Sequence, residues 1–455
     1  MNRRQFVSSV ALGGAALSFG STLRSAEASK PPLRLGIIGC GWFGGVNYEA
    51  FCRVAEVRVV SICDPNARHL ERTKKLISAY QSDAPLAFAD YRKMLEAEPL
   101  DVVIVATPDH WHALPAIDAM KAGADVYLEK PVGVDVLEGE ALLATAREYN
   151  RIVQVNTQRR SNPFYVRMAE EFLQGGRLGK VGLVECFSYL GLEGWRPGSI
   201  PDAEVPEHLN YELWAGPAPK LPYKAIMEDR GWRAFMEYGN GVIGNLGVHT
   251  IDKVRWLLGL GWPESVSATG LRYHEDSFSN VPDTMNCVLQ YPDLNVSWEH
   301  RMWGKSPIPE RHWSDQWGAR FMGSGGTLTV TMFEYVFEPA DGGPTEGVHM
   351  LSQTGDLENV DFGATMPAYQ EVENQHVLDF LGAREERGSR LPIADIEQGH
   401  ISSACCVLGN LSLDLGRPLA YDAKTRSVKG DVEATGRLAR SYRDEWIHPG
   451  KELGV

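Results

Sequence analysis

The sequence predicts two domains of different build: an α/β domain on a parallel sheet, then an α+β domain on an open mixed sheet that is largely antiparallel. Three observations predict this. Apolar runs in the first half alternate with helical segments of about 10 to 20 residues, the pattern of a parallel sheet covered by helices. A glycine-rich turn, 39-GCGWFG-44, joins the first of those runs to a helix. In the second half, runs rich in β-branched and aromatic residues follow one another with only turns between them. At 455 residues the chain is long enough for two cores.

The first apolar run, 33-LRLGII-38, enters the glycine turn, and a second, 57-VRVVSICD-64, ends in an acidic residue. The three glycines serve different ends. Gly39 permits the tight turn, Gly41 lets the backbone approach a pyrophosphate, and Gly44 lets the helix pack on the strand. The phosphates then face the helix N-terminus, beside Trp42 and Phe43, where free N–H groups favour negative charge. Asp64 is placed to hydrogen-bond a ribose diol, which favours NAD over NADP because a 2′-phosphate would meet a carboxylate. The spacing defines a Rossmann domain. Further strands are expected at 101-DVVIVA-106, 124-ADVYLEK-130 and 152-IVQVN-156, with helices through Ala122 and near 137–147. Ligands bind at the carboxyl ends of such strands, where Thr107, Pro108, Glu129, Lys130 and Asn156 lie. His110 and His112 are spaced poorly for chelation and lack a third ligand, so no metal is expected; a nicotinamide-side or capping role is, with His112 among the cofactor-binding candidates.

In the second half, strands are expected at 181–190, 264–273, 284–291, 294–303 and 326–333. Leu294, Val296, Trp298 and His300 share one face of theirs. The Gly- and Pro-rich segment 191–238 is expected to form an ordered arm over the site. Nine of the twelve tryptophans lie between Trp195 and Trp317, most of them for packing. Seven cysteines without regular spacing are expected as buried small hydrophobes.

The net charge of -14, from 59 acidic and 45 basic residues, argues against nucleic acid or an anionic membrane as the partner. Residues 1–28 have the form of an export signal: paired Arg3 and Arg4, an apolar run, then Ala26-Glu27-Ala28. The paired arginines resemble the twin-arginine signal, which sends folded proteins through the twin-arginine machinery to the periplasm. An ordinary secretory signal or an uncleaved anchor are the alternatives. The expected organisation is signal 1–28, Rossmann domain 29–157 and substrate and oligomerisation domain 158–455.

The glycine fingerprint, 106-ATPDHWHALPAIDAMKAGADVYLEKPV-132, 174-QGGRLGKV-181 and the run 239-GNGVIGNLGVHTIDKVRW-256 together resemble the glucose-fructose oxidoreductase, inositol dehydrogenase and rhizopine-catabolism (Gfo/Idh/MocA) family. The resemblance covers nearly all of the chain after residue 28. It implies an NAD-dependent oxidoreductase of carbohydrate-like small molecules, Lys130 beside the nicotinamide, and a homo-oligomer formed through the second sheet. The family pattern D-x-x-x-H-x-x-D is met at His249 and Asp252, but Asn245 stands where the first aspartate belongs.

A secondary alcohol gives up its hydride only if a base takes the hydroxyl proton. His249, with an ordinary value of about 6.5, is the expected base, and Lys130 holds the hydroxyl and shares in proton transfer. Helical spacing puts Asn245, His249 and Asp252 on one stripe facing a cleft, and Val248, Ile251 and Val254 on another facing the core. Arg159, Arg160, Trp232 and Tyr238 are pocket candidates by position. The leading expectation is oxidation of a secondary hydroxyl of a sugar, cyclitol or glycoside with a retained, recycled cofactor. A second is NAD-dependent glycosidase chemistry, with Tyr238 or His300 as the additional acid/base. The third is a binding protein that has lost turnover, suggested by Asn245.

Overall fold

A computed structural model describes residues 31–190, 198–308, 313–349 and 362–453. The signal, Trp195 and the start of the arm therefore lie outside the described residues. Within Leu33–Val455 the chain forms one compact unit.

The first sheet is parallel throughout, with β1 (Leu33–Ile38), β2 (Val57–Cys63), β3 (Leu86–Phe88), β4 (Val102–Val105), β5 (Asp125–Leu128) and β6 (Val153–Val155) in the order β3-β2-β1-β4-β5-β6. That order reverses between β1 and β4, which opens a crevice at the carboxyl ends of the strands. Both faces are covered, so β4 and β5 read as continuous apolar runs with every residue buried. One face packs Leu35, Ile37 and Ile62 against the helix Trp42–Val54; the other packs Ile38, Val103 and Val105 against Ala113–Lys121.

The second sheet has eight strands: β7 (Val181–Ser188), β8 (Ser265–Leu271), β9 (Thr284–Tyr291), β10 (Leu294–Arg301), β11 (Trp317–Gly323), β12 (Gly326–Val330), β13 (Glu334–Pro339) and β14 (Glu346–His349). Their order is β14-β13-β12-β11-β7-β10-β9-β8, antiparallel except where β7 meets β10. Alternation along β9 and β10 buries Met285, Cys287, Leu289, Val296, Trp298 and His300 on one face. That face is covered by the helices Val248–Leu258 and Ile396–Leu415, whose Val248, Ile251, Val254, Ala404 and Leu408 complete the core. Strands β11, β13 and β14 were not expected from the sequence. In 317-WGARFMG-323, Gly318 and Ala319 dilute the β signal, yet a Cβ on Gly318 would lie 2.4 Å from the Val330 carbonyl oxygen, so the close strand approach requires glycine there.

The chain does not divide its cores at one point. Phe362–Glu385 returns to the first sheet, where Val377, Phe380 and Ala383 pack with Tyr48, Phe51 and Tyr127. The helix Ile396–Leu415 crosses to the other side of the same sheet: a Cβ on Gly399 would lie 2.4 Å from Val155, and one on Gly139 would lie 2.0 Å from the His400 ring. This close packing holds the loop after β6 against the second domain. All seven cysteines are free, and all but the half-buried Cys52 are buried.

Residues 198–238 form short helical turns around a small aromatic core of Tyr211, Trp214, Tyr223, Trp232, Phe235 and Tyr238. This arm is stitched to the Rossmann domain: Ala67 N–H donates to the His208 carbonyl, Asn66 Nδ2 donates to Glu228, and the Arg230 guanidinium lies 4.3 Å above the Trp42 ring.

Candidate active site

A cleft of about 1460 Å³ opens at the β1/β4 switch point and runs from the glycine turn to the second sheet. At its nucleotide end Gly39 adopts φ +92°, and a Cβ there would lie 2.5 Å from the Ala106 carbonyl. A Cβ on Gly44 would lie 2.1 Å from the Gly39 oxygen, whereas one on Gly41 would meet no atom within 4 Å. The helix that follows has no side-chain cap, so its first N–H groups face the open side of Gly41. Asp64 lines this end; its carboxylate accepts from the N–H groups of Cys40 (2.9 Å) and Asn66 (2.8 Å). Trp42, Phe43, Thr107 and Pro108 also line it. The residues fit a dinucleotide.

Behind the cleft wall, Asn156 Nδ2 donates to Glu129 Oε1 (2.7 Å), and so does Asn47 Nδ2 (2.9 Å). Asn156 thus does not line the cleft but fixes Glu129, which does. The His112 ring is buried between the carbonyls of Pro131 (2.5 Å) and Thr107 (2.9 Å), bracing the β4 and β5 loops, and burial pushes it down to about 4. His110 is tied to the Trp214 carbonyl of the arm.

At the other end, Lys130 Nζ donates to the backbone oxygen of Asn245 (3.1 Å) and to its Oδ1 (3.4 Å), which also accepts from Arg233 Nε (3.3 Å). Burial, with Arg233 next, lowers Lys130 to about 8. His249 lines the same wall, edge-on to Trp317 at 5.6 Å, and its Nδ1 has no partner among the described residues. Burial and the charges of Lys130, Arg159 and Lys253 hold it well below its ordinary value. Lys130, lowered to about 8, stays the more basic of the two, and it rather than His249 stands close to neutrality. Asn245 faces Lys130 and Arg233, so the absent carboxylate bears on the lysine before the histidine.

The expected single stripe also divides. His249 does not start its helix; the chain is helical from Gly241, and Ile243–Gly247 is a wider π turn carrying Asn245. Asn245 and His249 face the cleft, but Asp252, about 60° further round, does not. Both its oxygens accept from Arg160 at 2.7 Å, and Oδ1 also accepts from Ser402. Tyr238 and His300 are likewise placed away from the cleft. The Tyr238 hydroxyl accepts from Leu221 N–H and bonds to Tyr211, and His300 is held between the Trp298 indole and the Pro282 carbonyl. Trp232 and Arg159 do line the cleft.

Residues that sequence reasoning missed include Asp109, Arg233 and Trp317, all lining the cleft. Asp109 lies in the T-P-D-H-W-H segment, so its position was legible from the chain. Burial raises its carboxyl to about 7, against the pull of Arg233 and Lys130. Elsewhere, Asp135, Glu138 and His448 lie at metal-ligand spacing. Their atoms are taken up internally, Asp135 by Arg440 N–H and His448, and Glu138 by Val134 N–H and Tyr442.

The parallel sheet, glycine turn and cleft define an NAD-binding Rossmann oxidoreductase fold joined to a mixed-sheet domain. The sequence matches the NAD-binding Rossmann domain of the GFO_IDH_MocA oxidoreductase family over residues 33–157, and the C-terminal alpha/beta domain of that family over 195–293. The chain belongs to the Gfo/Idh/MocA family. It is 23% identical to the 2,7-anhydro-N-acetylneuraminate hydratase of Mediterraneibacter gnavus over 65% of this chain and 66% of that one. It is 33% identical to glycosyl hydrolase family 109 protein 1 of Shewanella sp. (strain ANA-3) over 25% of this chain and 26% of that one. The inositol dehydrogenase homolog of Azotobacter vinelandii, solved with NADH and myo-inositol, superposes with a TM-score of 0.63 at 18% identity, covering 86% of this chain and 98% of that one. The matched stretch spans just under two thirds of the first relative and about a quarter of the second.

Replacing Asp64 by alanine removes a charge-assisted partner for the ribose, worth about 1.5–3 kcal/mol. NAD affinity is expected to fall by about 10- to 100-fold while NADP affinity holds or rises. Titration of both nucleotides into wild type and Asp64→Ala checks this, and equal losses for the two would refute it.

Proposed function

We propose that the chain is an NAD-dependent oxidoreductase acting on a secondary hydroxyl of a sugar, cyclitol or glycoside, with the cofactor retained and recycled in place. The observation that carries the reading is the meeting of Lys130, Asn245 and His249 on one wall of the cleft that begins at the glycine turn. NAD, when bound, takes a hydride from the carbon bearing the hydroxyl. Gly39, Gly41, Gly44 and Asp64 hold the nucleotide, and Asp64 favours NAD over NADP. Lys130 Nζ, positioned by both oxygens of Asn245, takes the hydroxyl proton, and neutral His249 orients that hydroxyl. The stitching of the arm to the Rossmann domain at Asn66, Ala67 and Trp42 supports slow loss of the cofactor. Assembly into a homo-oligomer through the second sheet belongs to the same reading.

A second reading, cleavage of a glycoside by transient oxidation and elimination, draws support from Asp109. A carboxyl raised to about 7 on the cleft wall offers the additional acid that this chemistry needs, in place of Tyr238 or His300. Incubating the NAD-loaded protein with a panel of sugars, cyclitols and aryl glycosides separates the two. Bound NAD is expected to become NADH without release of aglycone; aglycone release without net NADH selects the second reading, and neither change with any compound overturns both.

The protonation of Lys130 sets the pH dependence. Its amine is charged below about 8, so oxidation is expected to rise with pH through that value. Asn245→Asp would pair a carboxylate with Lys130 and move the rise to higher pH, while Lys130→Met should lower kcat/KM by about 100- to 10,000-fold. Superimposable profiles for wild type and Asn245→Asp would remove Lys130 from the role of base.

We also propose export to the periplasm by the twin-arginine route, with the cofactor already in the folded protein. Cell fractionation of an Arg3→Lys, Arg4→Lys variant is the check: retention in the cytoplasm is expected, and undiminished periplasmic protein would refute it.

A further inference from the structure

Arg159 is 7% exposed, lines the cleft, and has no carboxylate paired with it among the described residues. Its guanidinium lies 3.8 Å above the Trp317 ring, and Nη1 is buried with no hydrogen-bond partner among the described residues. A buried cation without a counter-charge is costly, and burial depresses Arg159 from its ordinary value. The neighbouring Arg160 shows what the same side chain does when the chain supplies an anion, taking both oxygens of Asp252. Lys253 Nζ is a second buried nitrogen without a hydrogen-bond partner among the described residues, 4.9 Å from the Tyr165 ring.

The nucleotide is not the missing partner. Its pyrophosphate belongs at the turn after β1, whereas Arg159 follows β6, three strands away in the sheet order and so roughly 14 Å across. Arg159 instead shares the wall of His249 and Trp317, where the reacting hydroxyl would sit. Lys130 and Arg233 make this end strongly cationic. Glu129 is engaged with two amides, and Asp109 is raised toward the neutral acid.

We propose that the substrate is a sugar acid whose carboxylate is held in two parallel bonds by Arg159 on the Trp317 ring, an inference that rests on the oxidoreductase reading of the site. The planar fork of a guanidinium matches a carboxylate, and stacking on the indole fixes its plane while leaving its N–H edge for the ligand. Removing the carboxylate from the ligand leaves the buried donors unpaired, which makes the site discriminate between an acid and its neutral counterpart.

The test is calorimetric binding to the NAD-loaded protein of two matched pairs: methyl β-D-glucuronide against methyl β-D-glucoside, and methyl α-D-galacturonide against methyl α-D-galactoside. At least one acid is expected to bind about 10- to 100-fold tighter than its neutral partner. Arg159→Gln, checked for unchanged NAD content and melting temperature, should abolish the difference, and Arg159→Lys should restore part of it. Equal binding within both pairs, a preference that survives in Arg159→Gln, tighter binding of glucose 6-phosphate than of either acid, or no binding by any acid overturns the proposal. The wild-type comparison decides even if Arg159→Gln fails to fold. Because binding is read without turnover, an acid that binds through Arg159 but leaves bound NAD unreduced would overturn the oxidoreductase reading and keep this one.

Discussion

The buried pair of Arg160 and Asp252 is the constraint on which the site depends. It joins the loop after β6 to the helix Val248–Leu258, and Ser402 brings in the helix Ile396–Leu415. Each member has a neighbour that lines the cleft: Arg159 precedes Arg160, and His249 lies three residues before Asp252. Fixing the pair therefore fixes how Arg159 and His249 stand around Trp317. An uncompensated charge left by losing either partner costs about 3–5 kcal/mol, so the two domains are held in register by a contact that no small displacement can satisfy partially. The close approach of Gly399 to Val155 serves the same joint with packing instead of charge.

The wall that results is rich in buried cationic side chains. Desolvation disfavours every charge there, and the cations also depress one another, which is why Lys130 falls to about 8 and His249 lies well below its ordinary value. Asn245 suits this setting. Its two oxygens orient the lysine without the full negative charge that would hold the amine protonated. The backbone oxygen of Asn245 that accepts from Lys130 is carried on the π turn.

Much of the Rossmann half was legible because its signals are local. Glycines 39, 41 and 44, the acidic end of β2 and the continuous apolar runs each follow from the conformation of a few residues. The second half was legible where alternation is regular, as in β9 and β10, and not where Gly318 and Ala319 weaken it in β11. The site residues that went astray share one cause. Asp252, Tyr238 and His300 are polar residues whose partners, Arg160, Tyr211 and Trp298, are chosen by tertiary packing, and periodicity carries no record of a partner. The π turn shifted the helical phase between Asn245 and Asp252, which a reading at 3.6 residues per turn cannot detect. The return of Phe362–Glu385 to the first core is equally invisible, since an apolar helix face does not name the sheet it will cover.

Substrate charge and proton handling are coupled on this wall. The charge of Arg159 is among the causes that depress both Lys130 and His249. A carboxylate bound to Arg159 neutralises that charge, so the ligand itself raises the basicity of the groups that face its hydroxyl. In the free protein the same groups are weaker bases, and a small neutral molecule such as water, which brings no anion, leaves them so. Seating an acid thus moves the pH at which Lys130 becomes a free base upward from about 8, as Asn245→Asp would, so the charge of the ligand and the pH dependence of hydride transfer are linked.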